Sequence, residues 1–431
     1  MIGQTIEFGR LWRNRRLSGE ELAALQVRKL RALIRHAYEH VPYYRAVFNS
    51  AAIAPDDIRE LKDLARIPVS AKGALREARD GALVNGAPPP GCLRRPTSGS
   101  TGHPLTVYLT PAEDRARQLL HFRSLLWAGI RPRDRIAVIG PERERVLGLN
   151  QRLGLFVSRN ISPVLPVEEQ IRVLRDTRPT VLWAYPSQLR ALLHALDGRL
   201  SRAAKVRALI TSAEMCDETL LAQVRGDQPG IEVLNFYGAV EAGRIASECR
   251  THLGLHVHAD HVILECLCGD RPAAPGEPGE AVITLLDGYT MPFIRYRLGD
   301  LITTVDRPCS CGLAFPLIAP PLGRTFDLIH LPSGEWRSPW PICFAVRRLA
   351  ERIDRFRLIQ DRLDHLRLEV VWRGRPGPDE AATLRADLEK HLEGATAVEL
   401  DIQSVPEIEN DARKFRLFVP LSEAASDRQV L

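Results

Sequence analysis

Long apolar runs are missing from this 431-residue sequence, in which no 18 consecutive apolar residues occur. That absence argues against a membrane-spanning helix. The opening MIGQTIEFGRLWRNRRL carries arginines where a secretion signal needs an apolar centre, so a cytoplasmic location is expected. Low-complexity tracts are also lacking, and 45% hydrophobic with 26% charged residues is the balance of a folded globular chain. Lysine is scarce, with six among 59 basic residues, and the arginines alternate with acids, as in REARD and ERERV. A net charge of +6 distributed in this way reads as a solvated surface, so no nucleic-acid partner is expected.

What is present divides along the chain. At about 150 residues per domain there is room for two to three. Leu22, Leu25, Leu30, Leu33 and Ile34 form a helical stripe that stops at Val41-Pro42. From about residue 95, short apolar runs (RIAVIG, TVLWAYP, VRALITS, IEVLNFYG) alternate with helical stretches such as QIRVLRDTR, the pattern of an α/β domain with a parallel sheet. Residues 261–304 read instead as a β-rich layer, in which HVILECLC, EAVITLL and LITTV are interrupted by DRPAAPGEPGE. After Arg324 a smaller α+β region follows, with strands near FRLIQ, LRLEVVW and VELDIQSV and a helix in DEAATLRADLEKHL. The expected division is therefore 1–94, an N-terminal helical part of the large domain; 95–324, its α/β core; and 325–431, a small α+β lid.

Five elements suggest chemistry. The loop Thr97-Ser98-Gly99-Ser100-Thr101-Gly102, before His103-Pro104, lies between two strand-like segments. Its amides and hydroxyls can cradle phosphate, although the same residues suit a plain hairpin turn. Tyr237-Gly238 through Glu241 follows a predicted strand, at the edge where open α/β sheets bind ligands; the ring can stack on a purine and the carboxylate can hold magnesium. A buried core tyrosine with a surface glutamate is the alternative there. Asp300, after Gly299, can chelate ribose hydroxyls or be a solvated loop residue. Arg324 and Lys414 complete the series.

These elements, in this order, with HAYEHVPYYR, TSGSTGHP, TSAE, FYGAVEAG, ASEC, GLHVHADH, MPFIRYRLGD and CSCGLAFPLIAPPLGR, resemble the adenylate-forming superfamily in its phenylacetate-CoA ligase and CapK-type branch. The resemblance implies a large adenylation domain with a mobile C-terminal lid, and an AMP-forming acid–CoA ligase activity. ATP, Mg2+ and CoA would be used on a small aryl carboxylic acid. An amine, a carrier protein or another nucleophile is an alternative acceptor, and a nucleotide-binding scaffold without turnover is the non-enzymatic alternative. Thr97 to Gly102 would bind the phosphates, Ala213 and Glu214 would line the adenine, Tyr237 would stack on it, and Gly238 would be a further ATP-binding residue. Glu241 would hold magnesium, Asp300 the ribose, and Arg324 the ribose or α-phosphate side, while Lys414 would bridge the attacking carboxylate and the α-phosphate. His103 stands in place of the family's phosphate-loop lysine, and Phe326 in place of its hinge Asp or Lys. The acid pocket is expected at the strand ends carrying Tyr185, Ser187, Ser212, Gly238 and Ala239. The expected assembly is a monomer or a homodimer.

The cysteines add a separate reading. Cys249-x6-His256 and Cys309-x-Cys311 offer four ligands in two short pairs, which suits a structural zinc, and the CapK-type resemblance implies the same. His258 and the pair Cys266 and Cys268 are competing ligands, with the pair placed in an alternating strand. Four unconnected residues without metal are the alternative.

Overall fold

The computed structural model describes residues 2–97, 104–140, 154–212, 218–324, 329–333, 336–337, 339–347, 352–390, 392, 398–408 and 418–421. Two compact units are present, Met1–Pro321 and Leu322–Leu431.

In the larger unit, α1 (Ile2–Arg13), α2 (Gly19–His40) and α3 (Pro42–Ser50) lead the chain. Helix α2 starts where Ser18 and Glu21 form a reciprocal capping box, and it ends because Pro42 cannot continue it. Its stripe of Leu30, Leu33, Ile34 and Ala37 is buried together with Tyr44, Phe48, Leu286 and Ile294. Leu22, from the same stripe, packs with Trp127 and Phe315. The next elements are α4 (Lys72–Ala78), β1 (Leu93–Pro96), β2 (Thr106–Leu109) and α5 (Pro111–Trp127). Strands β1 and β2 form an antiparallel hairpin.

Strands β3 (Ile136–Ile139), β4 (Ser158–Ile161), β5 (Val181–Ala184), β6 (Ala208–Ser212) and β7 (Glu232–Ala239) pair parallel in the order β4-β3-β5-β6-β7. The alternating strand and helix runs of the sequence correspond to this half. Beyond β7 the successive pairings along the same sheet are antiparallel. It runs through β8 (Gly243–Glu248), β9 (Leu255–Val257), β14 (Leu317–Ile318), β13 (Tyr296–Val305), β12 (Pro278–Leu285), β10 (Val262–Cys268) and β11 (Arg271–Pro272). The β-rich layer is therefore the antiparallel continuation of the parallel sheet.

The smaller unit has strands Ile353–Arg362, His365–Trp372, Glu399–Ser404 and Phe418–Val419, with helix Pro378–Lys390 packed on them. This is the α+β composition read from the sequence.

A buried charge network joins the N-terminal helices, α5 and the turn before β10. Arg123 donates from both terminal nitrogens to Asp260, at 2.6 and 2.7 Å, and also to His258 Nδ1 at 2.8 Å. Asn14 donates to Asp260 at 2.7 Å, and Lys29 donates to its carbonyl at 2.7 Å. Burial opposes ionisation of Asp260, but Arg123 outweighs it and holds the carboxyl below its usual range. Asp260→Asn is expected to cost about 3–5 kcal/mol of stability, because it leaves the Arg123 charge buried without its partner; urea unfolding of both proteins measures this. Since the folded pKa is depressed, the wild-type contribution is fully present above about pH 4. It is lost as pH falls through the folded value.

Candidate active site

The reversal from parallel to antiparallel pairing brings Tyr237, Glu241 and Asp300 together. After Ile139, Ala184, Ser212 and Ala239 the parallel strands end on one edge, where an open α/β sheet leaves a crevice. The chain then turns sharply from β7 into β8. Gly243 lies at φ +74°, which favours glycine, and a Cβ on Gly238 would lie 2.3 Å from the Gly243 carbonyl oxygen. Glu241 is carried on this turn. From α5, Arg117 donates to the carbonyls of Val240 (2.8 Å) and Glu241. Burial pulls the Arg117 guanidinium down to about 10, opposed by Glu113, Asp114 and Glu241, and it stays charged at neutral pH.

Two tyrosines tie this turn to β13. Tyr237 donates its hydroxyl to Asp300 Oδ2 at 2.8 Å, and Tyr296 donates to Glu241 Oε1 at 3.2 Å. Asp300 follows Gly299, at φ +74° within β13. The β13 segment is held from the N-terminal part. Tyr44 donates to the Pro292 carbonyl and accepts from the Ile294 amide (3.0 and 2.9 Å), and Ser70 pairs its backbone with Arg295 and Arg297. Arg295, buried and at φ +45°, donates to Glu265 and to the carbonyls of Ala65 and Ile67. Glu113 fixes the other side, accepting from the Tyr289 and Thr290 amides and from the Thr290 hydroxyl at 2.6–2.9 Å. Burial opposes its ionisation, but the bonds from Thr290 and Thr110 prevail and lower its pKa.

Thr97 closes the base of the predicted phosphate loop: its amide donates to the Leu105 carbonyl and its hydroxyl accepts from the Leu105 amide, both at 2.9 Å. Ser98, Gly99, Ser100, Thr101, Gly102, His103, Ala213, Glu214, Phe326 and Lys414 lie outside the described residues. Gly323–Arg324 is a short extended stretch. Among the expected acid-pocket residues, Tyr185 precedes helix Pro186–Ala195 and its hydroxyl lies beside Gly140. Ser187 is exposed in the first turn of that helix. Ser212 accepts from the Trp183 indole at 2.7 Å, Gly238 is exposed, and Ala239 packs partly buried beside the Tyr237 cluster.

Sequence reasoning missed Arg117, which holds the turn carbonyls, and the group His121, Trp183 and Arg244 beside Phe236. His121 stacks on Trp183 at 5.3 Å between ring centroids, and the Arg244 guanidinium lies over Trp183 and Phe236. The i, i+4 spacing of Arg117 and His121 on α5 was the available signal.

The four proposed metal ligands come together at the β8–β9 end. Their ligand atoms all lie within 4.8 Å of one another. Two thiolates about 2.3 Å from one tetrahedral zinc stand about 3.8 Å apart, and a thiolate–imidazole edge is about 3.5 Å. Cys249 Sγ to Cys309 Sγ is 3.7 Å and Cys311 Sγ to His256 Nε2 is 3.2 Å. His256 Nδ1 donates to the Phe315 carbonyl at 3.1 Å, which leaves the Nε2 lone pair for a metal. Without a cation the thiols resist ionising together. Burial, then the Cys309 and Cys249 sulfurs, push Cys311 up to about 12 against the Leu313 amide. The donor set therefore fits zinc. The competing ligands do other work: His258 sits between Arg123, Ser124 and Ser247, and Cys266 is buried in β10 against the Ile302 carbonyl.

No family model matches the chain. It is 30% identical to the phenylacetate-coenzyme A ligase of Thermus thermophilus over 330 residues, 73% of this chain and 72% of that one. It is 32% identical to the Escherichia coli phenylacetate-coenzyme A ligase over 298 residues, 66% of this chain and 67% of that one. Among solved structures it is similar to 2-hydroxyisobutyryl-CoA ligase in the postadenylation state, with a TM-score of 0.77, 19% identity, and coverage of 97% of this chain and 93% of that one. That likeness shows the fold, the adenylate-forming ligase architecture with a large N-terminal and a smaller C-terminal domain. With the crevice described above and these relatives at 30% identity and higher, the chain belongs to the phenylacetate-CoA ligase family.

Proposed function

We propose that this chain activates a small, flat carboxylic acid with MgATP, releasing pyrophosphate, and then transfers the acyl group to CoA. The observation that carries the reading is the double tie between the β7–β8 turn and β13, in which Tyr237 meets Asp300 and Tyr296 meets Glu241. It holds an aromatic ring and two carboxylates at one strand-end crevice. Adenylate formation asks the protein to position groups and stabilise charge more than to form a covalent bond. In this reading Thr97 to Gly102 hold the phosphates, Ala213 and Glu214 line the base, and Tyr237 stacks on it. Asp300 takes the ribose hydroxyls and Arg324 the ribose or α-phosphate side. Glu241, an oxygen donor of the kind magnesium prefers, would hold that ion and so help neutralise the phosphates. Residues 325–431 act as the lid, bringing Lys414 to the carboxylate and the α-phosphate. Trp183, Phe236 and His121 give the crevice the flat walls that suit an aryl acid.

ATP–pyrophosphate exchange across a panel of aryl and short-chain acids tests the reading. Acid-dependent exchange with at least one acid is expected, and its absence with all of them would leave a binding scaffold. Lys414→Ala is expected to lower exchange by about 2–4 kcal/mol of transition-state stabilisation, by analogy with loss of one electrostatic donor, while ATP binding measured by calorimetry persists.

The Cys249, His256, Cys309 and Cys311 cluster is a structural zinc site in the same reading. Metal analysis of protein purified without chelator is expected to give one zinc per chain. Cys309→Ser is expected to lower the unfolding temperature before it alters exchange, because a closed four-ligand site stabilises the fold and leaves no coordination position for substrate. Finding no zinc would refute the assignment. The cytoplasm is the proposed location: the described cysteines are free thiols, as in a reducing compartment, and no described helix is long and apolar enough to cross a membrane.

A further inference from the structure

Three consecutive carbonyls of the β7–β8 turn are held by side chains. Val240, Glu241 and Ala242 lie beyond the last ladder pair, Ala239 with Gly243, so their carbonyls need partners outside the ladder. Arg117 takes the first two. The third, on Ala242, is met at 3.0 Å by Nε2 of His261, in the turn before β10. His261 is buried, and its Nδ1 lies 3.1 Å from Asp287 Oδ2. A carbonyl oxygen can only accept, and so can an ionised carboxylate. Each bond therefore needs a ring proton, and His261 makes both as the imidazolium. Asp287 supplies the countercharge: burial opposes its ionisation, but the bond from His261 and the Lys29 ammonium, 2.7 Å from its other oxygen, outweigh it and lower its pKa.

These contacts close into a ring. Helix α5 gives Arg117 to the turn and, one helical turn earlier, Glu113 to the amides of Tyr289 and Thr290. The segment 287–290 carries Asp287, which holds His261, and His261 returns to the turn at Ala242. Arg117 ties the turn backbone to α5 alone, and a single tie lets a turn rock about it. His261 adds a tie to the start of β10 and, through Asp287 and Lys29, to α2. Charge-assisted bonds of this kind are about twice as strong as neutral ones, which suits a clamp on the segment that carries Glu241.

We propose that His261 is a positioning residue for adenylation: held by Asp287 and donating to the Ala242 carbonyl, it sets the turn backbone so that the Glu241 carboxylate is presented to the nucleotide and its magnesium. The inference rests on the adenylation reading. His261 touches neither substrate nor ion in this scheme. A displacement of about 1 Å at a reacting site is enough to cost about a hundredfold in rate, which is how a residue one hydrogen bond behind the turn acts on the chemistry.

Two isosteres separate the two ring bonds, because the amide nitrogen of glutamine falls near the position of Nε2 and that of asparagine near Nδ1. His261→Gln keeps a donor to Ala242, and His261→Asn keeps one to Asp287 only. In acid-dependent ATP–pyrophosphate exchange, His261→Asn is expected to lower kcat about tenfold or more and to raise the magnesium concentration for half-maximal rate, with KM for the acid unchanged. His261→Gln is expected to retain the larger part of kcat. In protein without nucleotide, mass spectrometry is expected to show faster hydrogen exchange over residues 240–243 in His261→Asn than in the wild type, with His261→Gln closer to the wild type. A merely structural role would lower the unfolding temperature of both variants alike and leave kcat of the folded protein unchanged, and that result overturns the inference. Equal losses of kcat in the two variants, or a change confined to KM for the acid, overturn it as well. Should His261→Asn fail to fold, Asp287→Ala releases the ring from its far side and carries the same expectations for kcat and for residues 240–243. A wild type that catalyses exchange with no acid overturns the adenylation reading and this inference with it.

Discussion

The larger unit is organised by the change of strand direction between β7 and β8. Up to β7, crossover helices return the chain to the same edge, so every parallel strand ends on one side of the sheet. After β7 the chain folds straight back, and β8 pairs antiparallel with it. The turn is tight enough that Gly238 meets the Gly243 carbonyl, and Gly243 occupies left-handed backbone. Glu241 is thereby fixed at the end of the parallel half, facing the antiparallel half that supplies Tyr296 and Asp300. The Arg117 bonds to two carbonyls of the turn satisfy acceptors that a bend of this kind takes out of the ladder.

Arginine, buried or partly buried, is the recurring means of holding such irregular segments. Arg117 caps the turn carbonyls, Arg123 joins helices to Asp260, and Arg295 binds Glu265 and two carbonyls while in left-handed conformation. Each uses several donors in fixed directions, which lysine cannot do with its single ammonium. His258 shows the same logic in a neutral group. Arg123 donates to its Nδ1, so the ring proton sits on Nε2 near Ser124 and Ser247. Burial first, and Arg123 next, hold its pKa well below the ordinary value. The cluster of Cys249, His256, Cys309 and Cys311 lies close by, with Trp127 stacked on His258 and edge-on to His256.

Much of the architecture was legible from periodicity. RIAVIG, TVLWAYP, VRALITS and IEVLNFYG correspond to β3, β5, β6 and β7, because strands buried on both faces read as continuous apolar runs. The stripe of α2, and three strands and one helix of the smaller unit, were legible for similar reasons. The spacing of Cys249, His256, Cys309 and Cys311 pointed to one cluster, since short ligand pairs constrain geometry locally. Tyr237, Glu241 and Asp300 stood out by motif, but their mutual pairing through Tyr296 did not, because it spans about 60 residues of chain.

By itself, then, the sequence determined which segments are strands and helices, where the parallel pattern stops, and which residue types stand at the candidate nucleotide and metal positions. These are local properties, set by side-chain period and by short spacings. Tertiary structure alone decided what the polar residues of α5 do. Glu113, Arg117, His121 and Arg123 look in sequence like the solvated face of an arginine-rich helix. Packed against β8 and the 287–290 segment, they become a loop anchor, a turn clamp, an aromatic stack and a buried ion pair. The physical reason is that a charged side chain carries no mark of its own burial. Whether it meets water, a carbonyl or a carboxylate is fixed only when distant segments close around it.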